Sequence, residues 1–228
     1  MPDLVIFDCD GVLVDSETIS VAVLVEVIRE AGGAVSAEDA FTRFLGRSMA
    51  SVGEILAGEF GVFLSDKQLE RFRTLLRARF ARELQPVRGV REALAQLGCP
   101  VCVASSSSPE RIRFSLERTG LLASFDPCIY SASMVSSGKP APDLFLHAAR
   151  AMGVAPERCL VVEDSPVGVA AARAAGMRVF GFTGASHAEP AGLRRKLSEA
   201  GPDLVFDDMA SLPALVAALP AQADLRSA

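Results

Sequence analysis

From residue 87 onward, short apolar runs of strand length alternate with stretches of helical periodicity, the pattern of βαβ units that build a parallel sheet. The strands are read at residues 101–105, 127–130, 159–163, 178–182 and 204–206, and a further apolar run, Leu4-Val5-Ile6-Phe7, opens the chain. Helices are predicted near 88–97, 109–119, 141–152, 166–175, 188–200 and 209–218. Ser108-Pro109 and Ser165-Pro166 each place a capping hydroxyl before a proline at the first helical position, where the missing N–H costs nothing. Gly176 stands where the second of these helices should stop.

Residues 16–84 break the alternation. Ile19, Val23 and Val27, and again Leu69, Phe72, Leu76 and Phe80, recur at helical spacing with no convincing strand between them. The fold class expected is therefore α/β: a Rossmann-like parallel-sheet core from residues 1–15 and 85–228, with an all-helical insertion at 16–84. The arginines of the last inserted helix (Arg71, Arg73, Arg77, Arg79, Arg82) read as a solvated face, and residues 220–228 as a frayed tail.

Composition narrows the field. The chain has 228 residues, half of them hydrophobic, with thirteen Phe and no Trp, enough for a large, mostly aliphatic core. Its net charge of −5 gives no electrostatic reason to expect nucleic acid. The five cysteines are odd in number and scattered through apolar runs, as expected of reduced thiols in a cytosolic protein. Cys99-Pro100-Val101-Cys102 leads into a strand rather than a helix start, so redox chemistry is not indicated. A zinc site lacks a second cysteine pair, and both histidines lie far from the first along the chain. Nothing at Met1-Pro2-Asp3 resembles a signal peptide, and the longest apolar stretch, 19–25, is far too short to span a bilayer.

The chemistry concentrates where the strands end. The first strand delivers Asp8 and Asp10; side chains two apart share a face if the strand continues through Asp10. An ordinary strand end and polar turn at Gly11 would also produce this text. The next strand ends at Ser105 in a run of four serines, a lysine follows in Gly138-Lys139-Pro140, and a later strand ends in Glu163-Asp164. In an open parallel sheet these carboxyl ends adjoin the ligand crevice. The set suits phosphoryl transfer, which needs charge neutralisation and positioning. Asp8, Asp164 and the Asp10 carbonyl offer hard oxygens to Mg²⁺, with Glu163 a further ligand or a group orienting bound water. Lys139 is a point charge for the transferring group and Ser105 a neutral donor.

Asp8-Cys9-Asp10-Gly11, Ser105, Lys139 and Glu163-Asp164, in this order and context, resemble the four motifs of the haloacid dehalogenase superfamily of phosphohydrolases. The resemblance covers nearly the whole chain, and the helical insertion matches that superfamily's cap. It implies Asp8 as nucleophile, Asp10 as general acid/base, Ser105 and Lys139 as phosphate holders and Asp164 as the main further Mg²⁺ ligand. Within the superfamily the text looks most like bacterial sugar-phosphate phosphatases, including those acting on 6-phosphogluconate. The similar β-phosphoglucomutases carry a histidine shortly after the Asp15 position, and Asp15-Ser16-Glu17-Thr18-Ile19-Ser20 has none. The resemblance thus implies a cytoplasmic, Mg²⁺-dependent hydrolase of small phosphorylated metabolites, with a mutase or a non-catalytic phosphometabolite-binding module as alternatives. No nucleic acid or membrane partner is expected, and a monomer would suffice, without excluding a dimer. Arg47 and Ser107 are the candidate specificity contacts.

Overall fold

The computed structural model describes residues 1–44 and 49–219. In chain order they form β1 (Leu4–Phe7), α1 (Glu17–Glu30), α2 (Ala37–Arg43), α3 (Met49–Phe60), α4 (Asp66–Glu83), α5 (Val90–Gln96), β2 (Val101–Ser105) and α6 (Pro109–Arg118). There follow β3 (Ile129–Ser131), α7 (Asp143–Ala151), β4 (Cys159–Glu163), α8 (Pro166–Ala174), β5 (Arg178–Phe182), α9 (Leu193–Ala200), β6 (Leu204–Phe206) and α10 (Leu212–Ala217). All six strands are parallel, in the order β3-β2-β1-β4-β5-β6. The four helices α1–α4 fall between β1 and β2, as the periodicity predicts. The third predicted strand starts two residues later than read, at Ile129, and the helix expected from 188 begins only at Leu193. The expected frayed tail, 220–228, lies outside the described residues.

The strands read as continuous apolar runs because the sheet is covered on both faces. Alternate residues serve different layers. Leu4, Ile6, Cys102, Ala104, Val161 and Val179 pack with α7, α8 and α9 on one side. Val5, Phe7, Val103, Leu160, Val162 and Phe180 face a second core that includes Val90, Ile112, Leu116 and Leu212 and continues into Val23, Val27, Phe72 and Leu76 of the insertion. Sheet and inserted helices therefore share one hydrophobic core. Where the chain enters and leaves the insertion it is stitched by Asp15 N–H to Gln85 C=O (3.0 Å) and Val87 N–H to Leu13 C=O (2.9 Å).

Helix α4 also rests on α6. The Arg77 guanidinium lies 4.2 Å over the Phe114 ring, and Arg118 donates to the Ala81 carbonyl at 2.8 Å. The solvated-face reading holds for Arg71, Arg73, Arg77 and Arg82, which are all exposed. Arg71 and Arg73 form exposed pairs with Glu30 and Glu70, and Arg77 is also stacked, because a guanidinium gains from an aromatic face. All five cysteines are free thiols. Burial pushes the Cys102 thiol up, opposite to what a reactive thiolate requires.

Phe125 is buried against Phe7 with ring centroids 6.0 Å apart in an edge-on arrangement. Phe125→Ala is expected to cost about 3–5 kcal/mol, read in urea as a lower midpoint at unchanged slope.

Candidate active site

Strand pairing stops at Phe7, and this decides how the two leading aspartates are used. The Asp8 N–H still reaches the Val162 carbonyl at 3.0 Å, after which the chain turns: Leu13 and Val14 N–H both bond Cys9 C=O, and Gly11 adopts φ +78°. Asp10 is thereby carried out of the pleat. Of the two readings open for this text, the strand end and turn at Gly11 holds; the two carboxylates still border one cleft, each with its own surroundings.

Asp8 sits at the bottom of the cleft. Lys139 Nζ donates to Asp8 Oδ1 (2.6 Å), to Glu163 Oε1 (2.5 Å) and to the Ala104 carbonyl (3.1 Å), and lies 4.9 Å over the Phe145 ring. The lysine side chain is only 3% exposed. Glu163 is tied at its other oxygen to the Ser165 N–H (2.9 Å) and hydroxyl (2.8 Å), and the same hydroxyl caps α8 by accepting from Gly168 N–H. Both Glu163 oxygens are therefore engaged by the protein. Burial, with repulsion from Glu163 and Asp164, pushes the Asp8 carboxyl well up against the opposing pull of Lys139. Burial works against the Lys139 charge, and the two carboxylates more than offset it, so its ammonium stays charged.

Asp10 meets the opposite environment. Ser16 Oγ (2.7 Å) and Arg111 Nη2 (3.0 Å) donate to Oδ1, and Ser107 Oγ donates to Oδ2 (2.6 Å). Burial raises this carboxyl, but the Arg111 charge and these donors outweigh it, so its pKa is lowered. Two acids two residues apart are thus driven in opposite directions. Ser105 is buried with its hydroxyl accepting from Ser107 N–H (3.2 Å), and Ser108 caps α6.

Asp164 Oδ2 lies 3.0 Å from His187 Nε2. A Cβ on Gly11 would fall 1.9 Å from that oxygen, and one on Gly168 would fall 1.9 Å from the Glu163 carboxyl carbon. Only glycine fits either place. Burial favours neutral His187, but Asp164, Glu17 and Asp15 prevail and raise its pKa. Glu17 also enters the cleft; burial, then Asp10 and Asp164, lift its carboxyl to about 7.

Asp8, Asp10, Ser105, Ser107, Lys139, Glu163 and Asp164 all border one cleft of about 380 Å³, walled on the insertion side by residues such as Val21, Leu24 and Phe72. Arg47 lies outside the described residues. Sequence reasoning missed Ser16, Glu17, Arg111 and His187. Ser16 and Glu17 stand directly after the Asp8–Asp15 run and Arg111 in the first turn of a helix leaving a strand end, so position alone could have flagged them. His187 gave no signal, since only the course of the β5–α9 loop brings it to Asp164.

The donor set fits Mg²⁺. Asp8 and Asp164 present hard oxygens, and burial raises both carboxyls, a demand that a divalent cation would meet. No trio of His, Cys, Asp or Glu side chains among the described residues is arranged to hold a metal by itself. That agrees with Glu163 being committed to Lys139 and Ser165, and with an ion that takes one or two carboxylates and fills its shell with water and substrate.

Residues 2–176 match the family model for haloacid dehalogenase-like hydrolases. The chain is 34% identical over 189 residues to the 6-phosphogluconate phosphatase of Escherichia coli K12, covering 82% of this chain and 86% of that protein. It superposes with a TM-score of 0.85 on a conserved haloacid dehalogenase-like protein of unknown function from Agrobacterium tumefaciens, at 43% identity over 96% of this chain and 99% of that one. A haloacid dehalogenase family hydrolase from Deinococcus radiodurans, solved with bound phosphate and sodium, superposes with a TM-score of 0.77 at 34% identity, covering 94% and 95%.

Removing the ammonium while leaving its partners should be severe. Lys139→Met is expected to destabilise by about 3–5 kcal/mol at pH 7, with part recovered in Lys139→Met/Glu163→Gln. Carboxyls raised in the folded state take up protons on folding, so the penalty should shrink as pH falls from 8 to 5; urea unfolding at both pH values reads it.

Proposed function

We propose that this chain, which belongs to the haloacid dehalogenase-like hydrolase family, is a Mg²⁺-dependent phosphatase of small phosphorylated metabolites, sugar phosphates or phosphorylated sugar acids, acting through an aspartyl-phosphate. The reading rests above all on Lys139, whose ammonium joins Asp8 to Glu163 while Asp10 is held apart by Ser16, Ser107 and Arg111. An anionic phosphoryl group is drawn to the ammonium, next to the carboxylate that can attack it.

In the first half, an Asp8 oxygen forms a bond to phosphorus as the ester P–O bond breaks, and the departing oxygen takes a proton from Asp10. In the second, Asp10 takes a proton from water, the water oxygen attacks phosphorus, and the Asp8–phosphorus bond breaks to release inorganic phosphate. The Asp10 proton is thus returned each cycle. Arg111 beside it favours the carboxylate form of Asp10, the form that takes the proton from water in the second half, whereas the first half draws on the protonated form. Ser105 donates to a phosphoryl oxygen, and Glu163 keeps Lys139 in place. Asp8, Asp164 and the Asp10 carbonyl would hold Mg²⁺, which supplies further neutralisation of phosphoryl charge.

The substrate class draws support from the cleft and from likeness. Polar groups crowd its floor while the insertion contributes an apolar wall, and the E. coli relative is a 6-phosphogluconate phosphatase. Hydrolysis rather than phosphoryl return to a second sugar hydroxyl is supported by the absence of histidine from Asp15-Ser16-Glu17-Thr18-Ile19-Ser20.

The test is phosphate release across phosphorylated sugars, sugar acids and polyols. Turnover should stop in excess EDTA and return with Mg²⁺, and Asp8→Asn should lower kcat by roughly three orders of magnitude or more. Full activity in that variant or in EDTA would refute the proposal. Glucose 6-phosphate appearing from β-glucose 1-phosphate faster than free phosphate would turn the assignment to a mutase.

A further inference from the structure

His187 is fully buried in the loop between β5 and α9, and the proposed chemistry gives it no task. Its Nε2 lies 3.0 Å from Asp164 Oδ2, within ion-pair distance, although neither ring nitrogen completes a hydrogen bond of good geometry. A histidine kept for packing would have both nitrogens satisfied, since a buried polar atom left alone opposes folding. This ring leaves both nitrogens without a well-formed hydrogen bond and sets Nε2 within ion-pair distance of the Asp164 carboxylate, a placement that packing alone does not explain.

The loop is anchored for that purpose. The neighbouring Ser186 hydroxyl donates to Asp15 Oδ1 (2.8 Å) and lies 3.2 Å from the Thr18 hydroxyl, and its N–H lies 3.3 and 3.4 Å from the two Asp15 oxygens. Asp15 and Thr18 flank the entry to the insertion. On the far side Gly11 leaves the room that the pair occupies: a Cβ there would come within 1.9 Å of Asp164 Oδ2 and 2.9 Å of His187 Cε1. Imidazole, carboxylate and glycine fit as a unit.

We infer that His187 is a positioning residue for the cation site: it holds Asp164 Oδ2 and thereby leaves the other carboxylate oxygen to the cleft that Asp164 borders. The inference rests on the reading of Asp164 as a Mg²⁺ ligand. Groups that orient metal-binding side chains set affinity as well as rate.

Calorimetric titration of the substrate-free protein with Mg²⁺ tests it. His187→Leu should weaken Mg²⁺ binding about 10–100-fold, His187→Gln should recover much of the loss through its amide N–H, and saturating Mg²⁺ should restore most of kcat. Ser186→Ala, which loosens the loop but keeps the ring, should weaken binding by a smaller factor and remains informative if His187→Leu does not fold; urea unfolding monitors this. Unchanged or tighter Mg²⁺ binding in folded His187→Leu, or in Ser186→Ala where the former fails, would overturn the inference. Wild-type Mg²⁺ affinity in Asp164→Asn would instead remove the metal-site reading on which it stands.

Discussion

One buried ammonium orders this site. Lys139 is almost wholly enclosed and holds Asp8 and Glu163 at 2.6 and 2.5 Å while a third carboxylate, Asp164, stands nearby. Three acids and one lysine cannot all stay charged away from water at low cost. The surrounding protein is arranged to bear that cost: Ser165 braces Glu163, the Ala104 carbonyl accepts from the lysine, and the Phe145 face lies beneath it. On the proposed reading, an anionic substrate and a cation would enter an electrostatic frame already set, with little reorganisation left to do.

The sheet makes this possible by topology. Strands β2 and β4 flank β1, so the ends of three strands that are distant in sequence lie side by side. The loop carrying Lys139 then needs only to follow β3 to reach the same place. Apolar residues on both faces hold the strand ends in register, and the two helix caps, Ser108 and Ser165, start helices directly beyond them. The inserted helices share the core of one sheet face, so the wall over the cleft is joined to its floor by packing. Glycine provides the remaining space. At Gly11 and Gly168 a single carbon would displace Asp164 or Glu163, which makes two unremarkable letters of the sequence as restrictive as the acids.

Much of this could be read directly from the chain. Five of the six strands begin and end as the apolar runs indicate, because a strand buried on both faces has a pattern that little else produces. Asp8, Asp10, Ser105, Lys139, Glu163 and Asp164 were legible because each ends such a strand, follows it or sits in the loop beyond it, and all border the same cleft. Whether the strand ran on through Asp10 was not legible, since pairing ends at Phe7 and the turn at Gly11 follows from bonds between Cys9, Leu13 and Val14. Arg111 stood near a strand end, but its partner, like that of His187, was hidden for a different reason. Both pairings come from tertiary approach, Arg111 to Asp10 at 3.0 Å and His187 to Asp164 at the same distance, and no local spacing encodes which carboxylate each meets.

The account turns on Asp8 as the atom donor to phosphorus, and rapid acid quenching during turnover of a phosphorylated sugar reads this directly. Peptide mapping of the quenched protein should place an acid-stable, hydroxylamine-labile phosphoryl group on Asp8, present only while substrate remains. A phosphoryl group on any other residue, or none on the protein at times shorter than one turnover and throughout the steady state in a variant slowed at Asp10, would contradict it.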